Sequence, residues 1–371
     1  MKRFKITLLI LLLLYVDTMI LEAERYQKKF DSGKIVVIEN KKYSRCFVST
    51  DADYYDVNHE IVALEGFFSY FNGNEKPIGA DISIDSDFRR GDVIAAEVTT
   101  IPEVNRVRSV LRDEKGGEVS RNQFFRVNDR WVGFLGIPSY IRRGDYKLDI
   151  SGWDETRHFI FTRKVTVGGK AFPLDVIKLN ETLTSLRERD DRRIREETQK
   201  LLSIIRSFDS NAVFAYSGFV FPVRGRITGH FGDRRRYIYS DGAVQSSIHN
   251  GIDIAVQIGT EVHACADGRV VLAEKRILTG KSVIIEHFPG VFSLYYHLNS
   301  IRIKAGDMVK KGEIIGYSGM SGLATGPHLH WEIRVSGVAV DPEPFLEGKV
   351  IDKNIFISSI GTQNISGTEG R

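Results

Sequence analysis

The chain has few cysteines, little excess charge and no long apolar run. Only Cys46 and Cys265 occur in 371 residues, far apart in sequence. An exported chain permits a disulfide between them, but the reading preferred here is two small buried thiols in separate domains. No cysteine closely follows the apolar N-terminal run, which argues against a lipoprotein. With 52 basic and 48 acidic residues the net charge is only +4. That balance gives no case for nucleic acid as a partner, while it tolerates an anionic polymer as substrate. The opening run, ITLLILLLLYV, has 11 residues before Asp17 interrupts it, too short to span a bilayer comfortably.

What is present describes an ordinary globular protein with a leader. Hydrophobic residues make up 42% and charged residues 27%, and the length suffices for two domains with separate cores. The basic stretch MKRFK followed by the short apolar run has the proportions of a secretory signal over residues 1–23. Ala23 suits the position before cleavage, although Leu21 is a poor small-residue match. An uncleaved segment would instead tether the chain to the membrane.

The expected fold is mainly β. Residues 24–170 carry short runs rich in β-branched and aromatic residues, such as KIVVIE, DVIAAEVTTI and HFIFTRKVTV, separated by turn residues. This spacing suggests a β-sandwich of immunoglobulin type. RRGD occurs at 89–92 and 142–145, each time just before a strand pattern, so Gly-Asp reads as turn chemistry rather than a cell-adhesion motif. FFSYF at 67–71 reads as a buried strand rather than an aromatic sugar platform. Residues 171–210 change character: Leu179, Leu183 and Leu186 recur at helical spacing, RERDDRRIREETQK is almost wholly charged, and Leu201, Ile205 and Phe208 resume. This predicts a helical linker with a solvated middle. Residues 211–350 return to short strands with many glycines, and 351–371 form a small polar tail.

Four of nine histidines fall in three local patterns. HNGIDIA supplies His249 and Asp253. Read as a strand, it sends His249, Gly251 and Asp253 to one face and Ile252 and Ile254 to the other. Imidazole and carboxylate on one face suit zinc. SLYYHL supplies His297, and GPHLHWE supplies His328 and His330. Those two flank Leu329, so both project to one face about 7 Å apart. A straight strand cannot easily give both to one ion. One therefore completes a ligand set with His249 and Asp253, and the other bonds a water or substrate oxygen, a task His297 could share. The spacing leaves open which is which. Three protein ligands leave zinc the open position that hydrolysis requires. His59, His158, His230, His263 and His287 read as surface or hydrogen-bonded residues.

HNGIDIA, YYHL and SGMSGLATGPHLHWE resemble the motifs of the lysostaphin/LytM-type zinc metallopeptidases, which cut peptide bridges in bacterial peptidoglycan. FPVRGRITGHFGDRR resembles the segment that opens that domain and VDPEPFL the one that closes it, so the likeness covers about residues 218–346. It implies an antiparallel sheet with a groove, one Zn2+ held by His249, Asp253 and His330, and His297 and His328 as catalytic imidazoles. It also implies peptidoglycan as the partner and the periplasm or cell envelope as the location. The alternative is a catalytically silent wall factor that activates another hydrolase; such relatives typically lack ligands, and all five site residues are kept here. The upstream β-rich region loosely resembles the sandwich preceding this domain in some exported relatives. Tyr237 and Tyr239 do not sit where a transition-state hydrogen-bond donor can be assigned.

Overall fold

The structure, a computed structural model, describes residues 45–50, 53–58, 67–70 and 79–83, and residues 87–350 apart from 102–103, 156–157, 189–191, 216 and 349. The leader at 1–23, His59, the side chains of Cys46 and His158, and the tail at 351–371 lie outside what is described. No helix among the described residues is long and apolar enough to cross a membrane. The chain is mainly β, as its alternating runs require.

Two compact units form. The first comprises the described residues before 87, with those of Ala96–Gly133 and Asp145–Thr166. Strands drawn on for it include Arg106–Arg112, Glu118–Gln123, Phe125–Val127 and Gly144–Trp153. Its fully buried side chains include Leu111, Phe125, Val132, Leu148, Ile150 and Phe159. Gly152 must be glycine, because a Cβ there would lie 2.2 Å from the Phe159 ring. Phe67–Tyr70 of FFSYF is a strand paired antiparallel to the strand that begins at His158.

The second unit comprises Asp87–Ala95, Phe134–Gly144 and the described residues from Val167 to 350. Two segments from the β-rich N-terminal half therefore belong with the C-terminal half. Phe134 packs on Phe288 with ring centroids 5.6 Å apart, and the backbone of Gly91 bonds Ile137 and Asp341. The first RRGD is a turn, closed by Arg89 N–H donating to Asp92 Oδ2 at 2.6 Å. The sheet of this unit runs Arg226–Gly229, Ile252–Ala255, His328–Val335, Val291–Leu298, Gly280–Phe288, Gly268–Arg276 and Met308–Val309, with antiparallel pairing throughout. Val291–Leu298 is buried at every residue, so it shows no period of two. One face is covered by the helix Arg192–Ile205, whose Leu201, Leu202, Ile204 and Ile205 pack on Leu272, Ile284, Phe292, Leu294 and Tyr296.

The described residues of the charged run are mostly exposed, as its composition suggests. It divides into the helices Glu181–Glu188 and Arg192–Ile205. Arg192–Glu196 and Arg193–Glu197 are i,i+4 ion pairs at 2.6 and 2.8 Å. Glu197 Oε2 also accepts from Ile277 N–H at 2.9 Å, and Lys200 meets Glu274 at 2.5 Å, so one side of the run grips the sheet. Ahead of the helices, Leu174–Lys178 forms a strand parallel to Arg234–Ile238, which pairs in turn with Val244–Ile248.

The face opposite the helix holds a buried polar cluster. His287 Nδ1–H donates to the Asp267 carbonyl at 2.7 Å and Nε2 accepts from Ser293 Oγ at 2.7 Å. Cys265 is a fully buried free thiol with Sγ 3.6 Å from His287 Nε2, and burial pushes it up to about 12. Burial also pushes the His287 imidazole down to about 4, against the Asp267 carbonyl. A depressed histidine contributes stability above its unfolded value of about 6.5 and loses it as pH falls through 4. The expected loss is on the order of 3 kcal/mol between those limits. His287→Gln, which can keep both hydrogen bonds, should flatten the pH dependence of the urea midpoint over this window. An unchanged slope would assign the acid sensitivity elsewhere.

Candidate metal centre

His249 precedes the strand Ile252–Ala255, anchored by its own N–H to the Asp233 carbonyl at 2.9 Å. The strand starts later than HNGIDIA suggests. Gly251 does not make room for a ligand: a Cβ there would meet the Trp331 carbonyl at 2.2 Å, so the glycine serves close backbone approach. Asp253 lies directly across from His330, and His330 directly across from Tyr296. The ring of Tyr296 stacks on that of His330 at 5.4 Å with an interplanar angle of 5°. His328, His330 and Glu332 alternate along one strand and share a face.

Three donor atoms converge. His249 Nε2 is 3.0 Å from His330 Nδ1 and 3.1 Å from Asp253 Oδ1, and His330 Nδ1 is 2.8 Å from the same oxygen. The outer nitrogens are committed as donors: His249 Nδ1–H to the His230 carbonyl at 2.9 Å, and His330 Nε2–H to Glu332 Oε1 at 2.9 Å. The inner atoms are then three lone pairs aimed at one another, which only a proton or a cation can reconcile. Zinc with arms of 2.0–2.1 Å would set tetrahedral ligands about 3.3 Å apart, close to the observed triangle. The donor set and spacing fit zinc. Without a cation the pull of the carboxylates falls on a proton: burial opposes charge on His330, yet Asp253 and Glu332 outweigh it and push the imidazole up to about 9. Asp253 is held well below the usual carboxylate range, its two histidines overcoming burial.

An outer shell fixes the ligands. Arg235 bonds Asp253 Oδ2, leaving Oδ1 for the centre. Gly229 makes this bridge possible, since a Cβ there would lie 2.7 Å from Arg235 Nη2 and 2.8 Å from Asp253 Oδ2. Arg334 holds Glu332 Oε2 at 2.7 Å through Nε. Asp253 therefore faces the centre and Glu332 the outer nitrogen of His330 with one oxygen, and each meets an arginine with the other. Neither arginine was singled out from sequence, and nor was Glu332, although it sits two residues from His330 on the same strand face. Arg235→Gln should weaken zinc affinity roughly 10–100-fold, the usual cost of losing an outer-shell partner. Competition with a fluorescent chelator measures this, and an unchanged affinity would remove Arg235 from the ligand support.

His297 and His328 stand beside the triangle but outside it. His328 Nε2 is 3.6 Å from Asp253 Oδ1, and its Nδ1–H donates to the Gly326 carbonyl at 2.8 Å. His297 Nδ1–H donates to the Ser321 carbonyl at 2.8 Å. Their ring centroids are 4.8 Å apart, and His297 is 6.2 Å from His330. Strict alternation would send His297 to the face opposite Tyr296. Instead its φ is 62° and the pairing register shifts between Lys281 and Val283, which turns the imidazole back to the site. Burial, with His328 and His330 nearby, pushes it down to about 3, so it is a neutral acceptor through Nε2.

His249 is buried, and the other four of the five residues, Asp253, His297, His328 and His330, line a cleft of about 470 Å³. Its walls include residues 175–179, Tyr237 and the loop 323–327. Tyr239 is bound by Gln245 and Arg187 at 2.6 and 3.1 Å. His263 lies 3.7 Å from Glu261 and takes no part in the centre.

Residues 247–342 match Peptidase family M23. The peptidoglycan DD-endopeptidase ShyA of Vibrio cholerae serotype O1 is 38% identical over 123 residues, covering 33% of this chain and 28% of ShyA. The chain spans about a quarter of the length of the curated relatives it matches first. A crystal structure from Pseudomonas aeruginosa assigned to M23 is 26% identical, covers 70% of this chain and 94% of its own, and superposes with a TM-score of 0.50. The catalytic domain of the antimicrobial peptidase lysostaphin from Staphylococcus simulans is 31% identical over 37% of this chain and 93% of its own, with a TM-score of 0.26. Through residues 247–342, which carry the His-Asp-His centre, the chain belongs to peptidase family M23.

Proposed function

We propose that the protein is a zinc-dependent endopeptidase that hydrolyses peptide bonds in peptidoglycan stem peptides or cross-links, outside the cytoplasmic membrane. The observation that carries this reading is the convergence of three ligand atoms, from His249, Asp253 and His330, beside two further imidazoles at an open cleft. His249, Asp253 and His330 would hold the ion. Zinc, when bound, supplies Lewis-acid polarisation of a carbonyl and acidifies water. His297 and His328 both spend Nδ1–H on backbone carbonyls, so both present Nε2 as a proton acceptor. Either can take a proton from the attacking water, and the resulting imidazolium can donate to the developing oxyanion or the leaving amine. The relatives' peptidoglycan endopeptidase names support the substrate class, as does the leader-like N-terminus.

The test is mass spectrometry of purified sacculi digested by the purified chain, with zinc assayed on the same batch. New peptide termini that appear only with the zinc-loaded protein are expected. Intact sacculi with a fully loaded centre would refute the activity. Fractionation that finds the native protein mainly in the cytosol would refute the location.

A further inference from the structure

The strand Leu174–Lys178 is paired on one edge only. Beside it, Arg234 N–H donates to the Pro173 carbonyl and Leu179 N–H to the Ile238 carbonyl, at 2.7 and 2.8 Å. With Asp175 opposite Arg235 and Ile177 opposite Tyr237, parallel pairing directs the amides and carbonyls of Asp175 and Ile177 inward. Those of Leu174, Val176 and Lys178 are left on the open edge. No partner for these edge groups occurs among the described residues. Leu174 and Val176 are 56% and 47% exposed.

That edge is not remote from the chemistry. Val176 and Lys178 line the same cleft as Asp253, His297, His328 and His330, with residues 323–327 also lining it. An open edge is a template for one more extended chain. We propose that it binds the substrate peptide as an added strand, so that main-chain hydrogen bonds from Val176 and Lys178 lay a scissile amide over the His-Asp-His centre. The occupant is an extended peptide, because the edge runs continuously into a cleft whose chemistry acts on amides. Such a ladder reads backbone direction and amide spacing and tolerates varied side chains. The inference rests on the endopeptidase reading.

Val176→Pro removes one edge N–H and leaves the inward bonds intact, a change edge strands accept. Val176→Ala shortens the same side chain and keeps the N–H. Both are made in the zinc-loaded full chain carrying His297→Asn, so that a fluorescent cross-linked stem-peptide dimer binds without being cut. The proline variant should bind about three- to tenfold more weakly than the alanine variant, the worth of one hydrogen bond, at equal zinc content. Hydrogen exchange at the Val176 and Lys178 amides should slow when the peptide is added to the parent. If Val176→Pro does not fold, N-methylating single amides of the peptide gives the same reading, with loss expected at alternate amides. Equal affinities of the two variants, unprotected amides, or uniform tolerance of N-methylation would overturn the proposal. So would a dimer of the free chain that Val176→Pro dissociates, since the edge would then belong to a second copy. Edge-dependent binding with intact sacculi would sink the endopeptidase reading alone, and cleavage with edge-independent binding would sink this inference alone.

Discussion

His330→Ala should strip the centre of zinc. The substitution removes one of three donors that lie 2.8–3.1 Å from one another and takes away the N–H that satisfies buried Glu332 Oε1. Two protein ligands remain, beside a buried carboxylate that has lost its partner. The fall in affinity should exceed the roughly 10–100-fold that outer-shell changes cost. Glu332→Gln supplies that comparison, because it keeps an oxygen for His330 Nε2–H while losing the charge and the acceptor for Arg334. Asp253→Ala should match His330→Ala, with Arg235 losing its nearest carboxylate in addition. Zinc per folded chain after dialysis against graded chelator ranks the variants. If His330→Ala held zinc as tightly as Glu332→Gln, His330 would not be a ligand and the convergence of donors would need another explanation.

The histidine patterns were legible because metal sites draw on few residue types and because strand alternation is local. Asp253 and His330 face the centre as a period of two dictates. Other features depend on contacts between distant segments. His297 reaches the site only through a left-handed backbone and a register shift, which neither its neighbours nor its spacing announce. Arg235 sits in GDRRRYIY among three arginines, and only the hairpin and the space above Gly229 select it. Leu174–Lys178 reads as the start of a helical stretch because Leu179, Leu183 and Leu186 follow at helical spacing. Its parallel pairing with Arg234–Ile238, some 60 residues on, makes it a strand instead. The segments 87–95 and 134–144 join the C-terminal unit through contacts such as Phe134 on Phe288, which no local pattern encodes.

The neighbouring histidines should separate cleanly on mutation. His328 lies outside the convergent set, with Nε2 3.6 Å from Asp253 Oδ1, beyond hydrogen-bond reach. His328→Ala should therefore keep one zinc per chain and lose turnover. A general acid–base group contributes about 10²–10⁴-fold, and the fall in kcat should be of that order. His297 needs a different substitution. Its φ of 62° would burden an alanine with roughly 1–2 kcal/mol of backbone strain, whereas asparagine accepts that conformation more readily. His297→Asn should hold the fold and the zinc while losing a comparable factor in rate. The decisive comparison is zinc content beside the cleavage rate on sacculi for His328→Ala, His297→Asn and His330→Ala. Equal zinc loss from His328→Ala and His330→Ala would mean that the two imidazoles share one job, despite the half-ångström and more that separates their reach to Asp253.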